Sequence, residues 1–160
     1  MFEYIEGNII EKSPAYVVIE AGGVGYFLHI TVNTYSQLPA SGNRRIFVHQ
    51  VIREDAHVLF GFADREERIM FRLLITVSGI GANTARVILS SLTSAEVKSA
   101  ILEGDVRAFQ SIKGIGLKTA QRIIVDLKDK VGKGAKTDEL FMSERNTIRE
   151  EALSALVALG

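Results

Sequence analysis

The chain has 160 residues, a formal net charge of zero and 47% hydrophobic residues, which is enough apolar material for a packed core. The absence of cysteine excludes disulfides and thiolate metal sites. No run of eighteen apolar residues occurs, and the opening MFEYIEGNIIEK lacks the order of a signal peptide, so a cytoplasmic protein with no membrane partner is expected.

The first sixty residues read as strands. Tyr16 to Ala21 is apolar and β-branched, Gly22-Gly23 is a turn, and Tyr26 to Ile30 follows. Arg44 to Ile52 and His57 to Phe62 form a hairpin. With a helical or irregular insert near Thr34 to Leu38, about five short strands predict a small closed barrel of OB-like size. His29, His49 and His57 all fall in these strands, so no metal site is expected.

From Asp64 the period becomes helical: Met70, Leu73, Leu74 and Val77 recur at three- and four-residue spacing, as do Ala85, Ile88 and Leu89. A shift of 35 residues lays RLLITVSGIGANTARVILSSL onto RAFQSIKGIGLKTAQRIIVDL. Two copies of one helix-turn-helix-sized unit explain the coincidence, joined by short helices at Ser94 to Leu102 and Val106 to Phe109. The stretch VGKGAKTDE has no apolar period and reads as a linker. A last helix follows, with a Thr147/Glu150 capping box and an apolar stripe of Leu153, Leu156, Val157 and Leu159.

Charge is distributed unevenly. Residues 1–63 carry 4 Lys+Arg against 6 Asp+Glu, whereas residues 64–131 carry 11 against 8. A nucleic-acid face should therefore lie in the middle third. There each repeat sets a Gly-Ile-Gly between two helices, Gly79-Ile80-Gly81 and Gly114-Ile115-Gly116. Glycine permits a sharp turn and close backbone approach, and the helix N-terminus that follows offers unpaired N–H donors at the positive end of its dipole. The pair predicts two phosphate sites, with Ile80 and Ile115 anchoring the turns in the core. Lys113, Lys118 and Arg122 flank the second turn, and Thr84 and Thr119 supply hydroxyls. Neither copy has a GxxxxGK[ST] loop or a GxGxxG after a Rossmann strand, so a mononucleotide site is disfavoured. Contacts of this kind grip backbone without reading bases, so specificity has to be for DNA shape.

SGIGANTA and KGIGLKTAQRIIVDLKDK resemble the tandem helix-hairpin-helix domain of the RuvA family, GGVGY and REDAHVLFGF resemble its N-terminal barrel, and EEALSALVALG resembles the start of its third domain. The fold class expected is α+β multidomain: an OB-fold barrel over 1–63, an all-α tandem helix-hairpin-helix domain over 64–131, a linker over 132–145 and, over 146–160, the first helix of a third domain at which the chain is expected to stop. The resemblance implies a DNA-binding subunit that holds a four-way Holliday junction open and planar, as a homotetramer or two stacked tetramers, for recombination and repair. Its partners would be the RuvB ATPase motor, recruited through the third domain, and the RuvC resolvase. It implies no catalytic residue, no cofactor and no metal in the chain itself. Carried over by position, the DNA contacts are Gly79, Ile80, Gly81, Asn83, Thr84, Gly114, Ile115, Gly116, Lys118, Thr119 and Arg122. Relatives often have lysine where this chain has Asn83 and a second basic residue where it has Leu117, which lowers the charge expected of this face.

Glu54 and Asp55 sit at the tip of the Ile52/His57 hairpin. Composition alone reads them as a solvated turn; the resemblance reads them as an acidic pin projecting at the junction centre. Two other classes compete. A helix-hairpin-helix DNA glycosylase also carries GxG followed by a lysine at the position of Lys118, but needs an Asp further on, on a packed helix, where this chain has only VGKGAKTDE. A single-strand-binding barrel needs exposed aromatics on a basic groove. The barrel segment is net acidic, so Tyr4, Tyr16, Tyr26 and Phe27 are expected to pack the core or a subunit interface.

Overall fold

A computed structural model of the protein describes residues 1–133 and 151–159. Five strands, β1 (Tyr4–Lys12), β2 (Tyr16–Ala21), β3 (Val24–Ile30), β4 (Gly42–Ile52) and β5 (His57–Phe62), close into a barrel in the order β1-β2-β3-β5-β4. All neighbours are antiparallel except β3 and β5, where Leu28 pairs with Leu59 and Ile30 with Gly61 in parallel. Alternate residues point inward, so Ile5, Ile9, Val17, Ile19, Leu28, Ile30, Ile46 and Val48 fill the barrel. The insert is a short helix, α1 (Val32–Gln37), whose N-cap Thr31 accepts from the Thr34 amide.

Five helices follow: α2 (Arg65–Ile75), α3 (Ala82–Ser91), α4 (Ser94–Glu103), α5 (Val106–Gln110) and α6 (Leu117–Gly132). Asp64 caps α2 and Asp105 caps α5, while Thr93 and Glu96 form a capping box on α4. Residues 151–159 are helical, with Leu153, Leu156, Val157 and Leu159 exposed. The expected Thr147/Glu150 box lies outside the described residues, as does the expected linker from residue 134 onward.

The helices pack on the outside of the barrel. Phe60 and Phe62 of β5 point away from the barrel interior into the helical core, where Phe71 of α2 lies 5.2 Å and 4.9 Å from their ring centres. Polar bonds fasten the same seam. Glu67, buried in α2, accepts from the hydroxyls of Thr31 and Thr34, the latter at 2.6 Å. Burial, only partly offset by those two bonds, raises its carboxyl above the usual range. Arg68, also buried, donates to the Glu3 carbonyl at 2.6 Å and the Glu3 carboxylate at 2.5 Å.

His49 of β4 sits in this seam, 5.4 Å from Phe71, and its imidazole accepts from the Arg72 guanidinium at 3.3 Å. Burial first, then the charges of Arg72 and Arg68, push its pKa from 6.5 down to about 4. The unfolded chain therefore takes up a proton that the folded one refuses between those values. Stability present above pH 6.5 should be lost progressively as pH falls toward 4. Urea titrations across that window should show the loss in wild type and a flatter profile in His49→Gln. Parallel profiles would mean that another group governs the acid response.

Candidate nucleic-acid interface

Both repeats build the same turn. In the first, the Ile80 amide donates to the Val77 carbonyl at 3.0 Å with Gly79 at φ +88°; in the second, Ile115 donates to Ile112 at 3.1 Å with Gly114 at φ +91°. A positive φ at the third residue of the turn is where glycine is needed. The apolar members go inward: Val77, Ile80, Ile112 and Ile115 are all buried, so the two isoleucines anchor the turns in the core.

The second glycine of each turn is the N-cap of the next helix. Gly81 caps α3 and Gly116 caps α6, and neither supplies a side-chain hydrogen bond. The first helical bonds are Ala85 to Gly81 and Ala120 to Gly116, both at 2.9 Å. The amides of Ala82, Asn83 and Thr84, and of Leu117, Lys118 and Thr119, thus precede the first intrahelical donor and have no side-chain cap. A Cβ built on Gly81, Gly114 or Gly116 would meet nothing within 4 Å. Each hairpin presents bare donors, a dipole end and open space, the requirements of an oxyanion site.

The expected contacts are exposed at Gly79, Gly81, Asn83, Gly114, Gly116, Lys118 and Arg122, and partly so at Thr84 and Thr119. The structure also joins the two hairpins, which no sequence pattern anticipates. Arg122 of α6 donates from Nη1 to the Ser78 carbonyl of the first turn at 3.2 Å. The guanidinium bridges the two turns, which the shared helical core holds in place, with donors remaining for a phosphate. Lysine in its place keeps the charge but lacks the fork. Arg122→Lys should therefore bind DNA more weakly with an unaltered salt slope, whereas Lys118→Ala should flatten the slope by about 0.9 for each phosphate the lysine no longer neutralises. Equal flattening in both would reduce Arg122 to a point charge.

Glu54 and Asp55 are exposed at the β4–β5 tip, closed by the Arg53 amide donating to Ala56 at 2.8 Å, and neither forms an ion pair among the described residues. A cleft of about 140 Å³, lined by His29, Val51, Arg53, Val58, Phe60, Ala82 and Asn83, connects the base of this hairpin with the start of α3. The acidic tip and the first cradle thus border one continuous surface. Arg53, which lines this cleft, and Arg86 of α3, whose guanidinium donates to the Ala15 carbonyl at 3.1 Å, were not singled out from sequence. Arg86 lies three residues after Asn83 on α3, a helical spacing that could have signalled it.

Among the described residues no group of three His, Asp or Glu side chains could hold a metal, and no helix is long and apolar enough to cross a membrane.

Residues 1–61 match the family model described as the RuvA N terminal domain, and residues 71–129 match the SAM-like helix-hairpin-helix tandem. Relatives include proteins named Holliday junction branch migration complex subunit RuvA. The one from Christiangramia forsetii is 53% identical over 160 residues, spanning 100% of this chain and 83% of that protein. Those from Flavobacterium psychrophilum and Bacteroides thetaiotaomicron are 51% and 48% identical, again over 100% of this chain, with 83% and 84% of their own lengths covered.

Proposed function

This chain belongs to the RuvA family, and on that premise we propose that it is the non-catalytic, structure-specific DNA-binding subunit of a branch migration complex, recognising four-way Holliday junctions and holding them open for the RuvB ATPase in recombination and repair. The observation that carries the reading is the pair of equivalent bare helix N-termini, tied together by Arg122 in the basic third of the chain. Two such cradles grip two phosphates of a duplex arm without reading bases. The contacts are those of Gly79 to Gly81 and Gly114 to Gly116 with Asn83, Thr84, Lys118, Thr119 and Arg122. The proposal extends to a cytoplasmic homotetramer, alone or as two stacked tetramers, with the barrel over 1–63 and the hairpin domain over 64–131 as its units, and with RuvC as a further partner.

Within this reading Glu54 and Asp55 are an acidic pin. Four subunits would bring their carboxylates to the junction centre, where strands diverge and leave an opening. A duplex running unbroken across that centre would set phosphates against them, and the repulsion decays over a screening length of about 10 Å at 0.1 M salt. Glu54→Gln with Asp55→Asn should therefore strengthen binding to linear duplex more than to junction in low-salt native gels comparing DNAs of equal length. Because both residues are exposed, fold and assembly should not change. A wild type that does not prefer the junction would overturn the function; an unchanged ratio in the double variant would return the pair to an ordinary solvated turn.

A further inference from the structure

Of the four aromatics expected to pack the core or an interface between copies, Tyr26 packs against the barrel core, whereas Tyr4, Tyr16 and Phe27 are not part of it. Tyr4 and Phe27 are 44% and 48% exposed, and Tyr16 and Tyr26 are half-buried. On the outer face of β2 and β3, Phe27 stacks on Tyr16 with centroids 4.6 Å apart and planes 22° from parallel, and its ring meets His29 edge-on at 5.2 Å. We propose that this stack is a platform for unpaired nucleobases of single-stranded DNA, with Phe27 and Tyr16 taking the base and Arg53 and Arg86 flanking its backbone; the proposal rests on the DNA-binding reading above.

Topology places the platform where such barrels take oligonucleotides, on strands two and three between the loops joining strands one to two and four to five. Here those loops are residues 13–15 and 53–56. The helices cover the neighbouring β4–β5 part of the outer face through Phe60 and Phe62, and the Tyr16–Phe27 stack lies just beyond that cover. Charge suits the occupant. Arg86 of α3 donates to the Ala15 carbonyl at 3.1 Å, which holds a guanidinium at the first of the two loops, while Arg53 lines the cleft at the base of the second. Glu54 and Asp55 occupy the tip of that second loop, so the strand's backbone has to pass on the Arg53 side. The nearby Glu11 carboxylate accepts from the Tyr16 hydroxyl, so it orients the platform. Burial, and secondarily Arg86, lowers the His29 pKa and favours an uncharged ring beside Phe27.

Continuity with the hairpin face completes the case. His29 and Arg53 line the same cleft as Ala82 and Asn83, so a strand leaving the first cradle reaches the platform across a shared surface. Strand exchange at a four-way junction must unpair bases near its centre, and that supplies the occupant.

The chain has no tryptophan and four tyrosines, so Phe27→Trp in the full chain installs a single tryptophan on the platform, excited selectively at wavelengths the tyrosines do not absorb. Its emission should be quenched by oligothymidylate. Phe27→Ala should bind the same oligonucleotide roughly tenfold more weakly with linear-duplex affinity unchanged, since stacking serves bases that a duplex keeps paired. The proposal is overturned if the tryptophan is not quenched at saturating oligothymidylate, or if Phe27→Ala weakens duplex equally. It is also overturned if light scattering shows a changed oligomeric state, which would make the face a contact between copies. Wild-type protein that binds neither junction nor duplex would defeat the DNA-binding reading itself; normal duplex and junction binding with an unquenched tryptophan defeats only the platform.

Discussion

Replacing Gly81 and Gly116 together by valine should cost about a thousandfold in junction affinity while the protein stays folded. Their φ values of −83° and −85° are ordinary for any residue, and a Cβ at either position meets open space. Valine is therefore tolerated by the backbone, and its methyls stand where a phosphate oxygen must approach the bare amides. A hydrogen bond to a charged group contributes about 2 kcal/mol, and losing one from each hairpin sums to about 4 kcal/mol, or three powers of ten. Anisotropy of a labelled four-way junction measures the loss, and circular dichroism verifies the fold. Gly79→Val and Gly114→Val are the instructive contrast, because φ near +90° strains any β-branched side chain and those variants should lose thermal stability as well as binding. Near-wild-type affinity in the Gly81/Gly116 double variant would remove the helix N-termini from the interface.

Phe71→Ala should be the most damaging single core substitution, at about 3 to 5 kcal/mol, a large part of the 5 to 15 kcal/mol that holds a typical domain together. Phe71 is fully buried and packs on Phe60, Phe62 and His49, so one ring joins β4, β5 and α2. Its removal opens a cavity at the seam between barrel and helices and loosens the helix leading into the first hairpin. Calorimetry should show a single transition in wild type, because β5 contributes to the helical core, and a much lower midpoint in the variant. Two resolved transitions in wild type, with only one moved by Phe71→Ala, would show instead that barrel and helices melt independently.

The turns and the repeat were legible because their causes are local. A positive φ at Gly79 and Gly114, the apolar spacing of α2, α3 and α6, and the recurrence of Gly-Ile-Gly at 35 residues depend on neighbours within one or two turns of chain. The two cradles can therefore be assigned without knowledge of any tertiary packing. The first strand is harder. In β1 the run Ile5-Glu6-Gly7-Asn8-Ile9 has a glycine at its centre, an ordinary mark against a strand. The tertiary structure requires it: a Cβ on Gly7 would lie 2.1 Å from the Glu20 carbonyl oxygen of β2. Arg65-Glu66-Glu67-Arg68 likewise reads as a solvated first turn, yet Glu67 and Arg68 are buried, because α2 lies along the barrel and presents them to Thr31, Thr34 and Glu3.

By itself, then, the sequence determined the strand and helix periods, the number of hairpins and the residues we propose to offer amides and cations to phosphate. Period two in a strand says only that alternate side chains share a face. Which face meets water is set by what packs against it, and so the fate of Phe60 and Phe62, buried under helices, and of Phe27, left exposed on β3, was decided only by the docking of α2 and α3 on the barrel. The same holds for the Arg122 to Ser78 bond: residues 44 apart in the chain meet because two helical repeats pack together, and no local pattern in either repeat encodes that meeting.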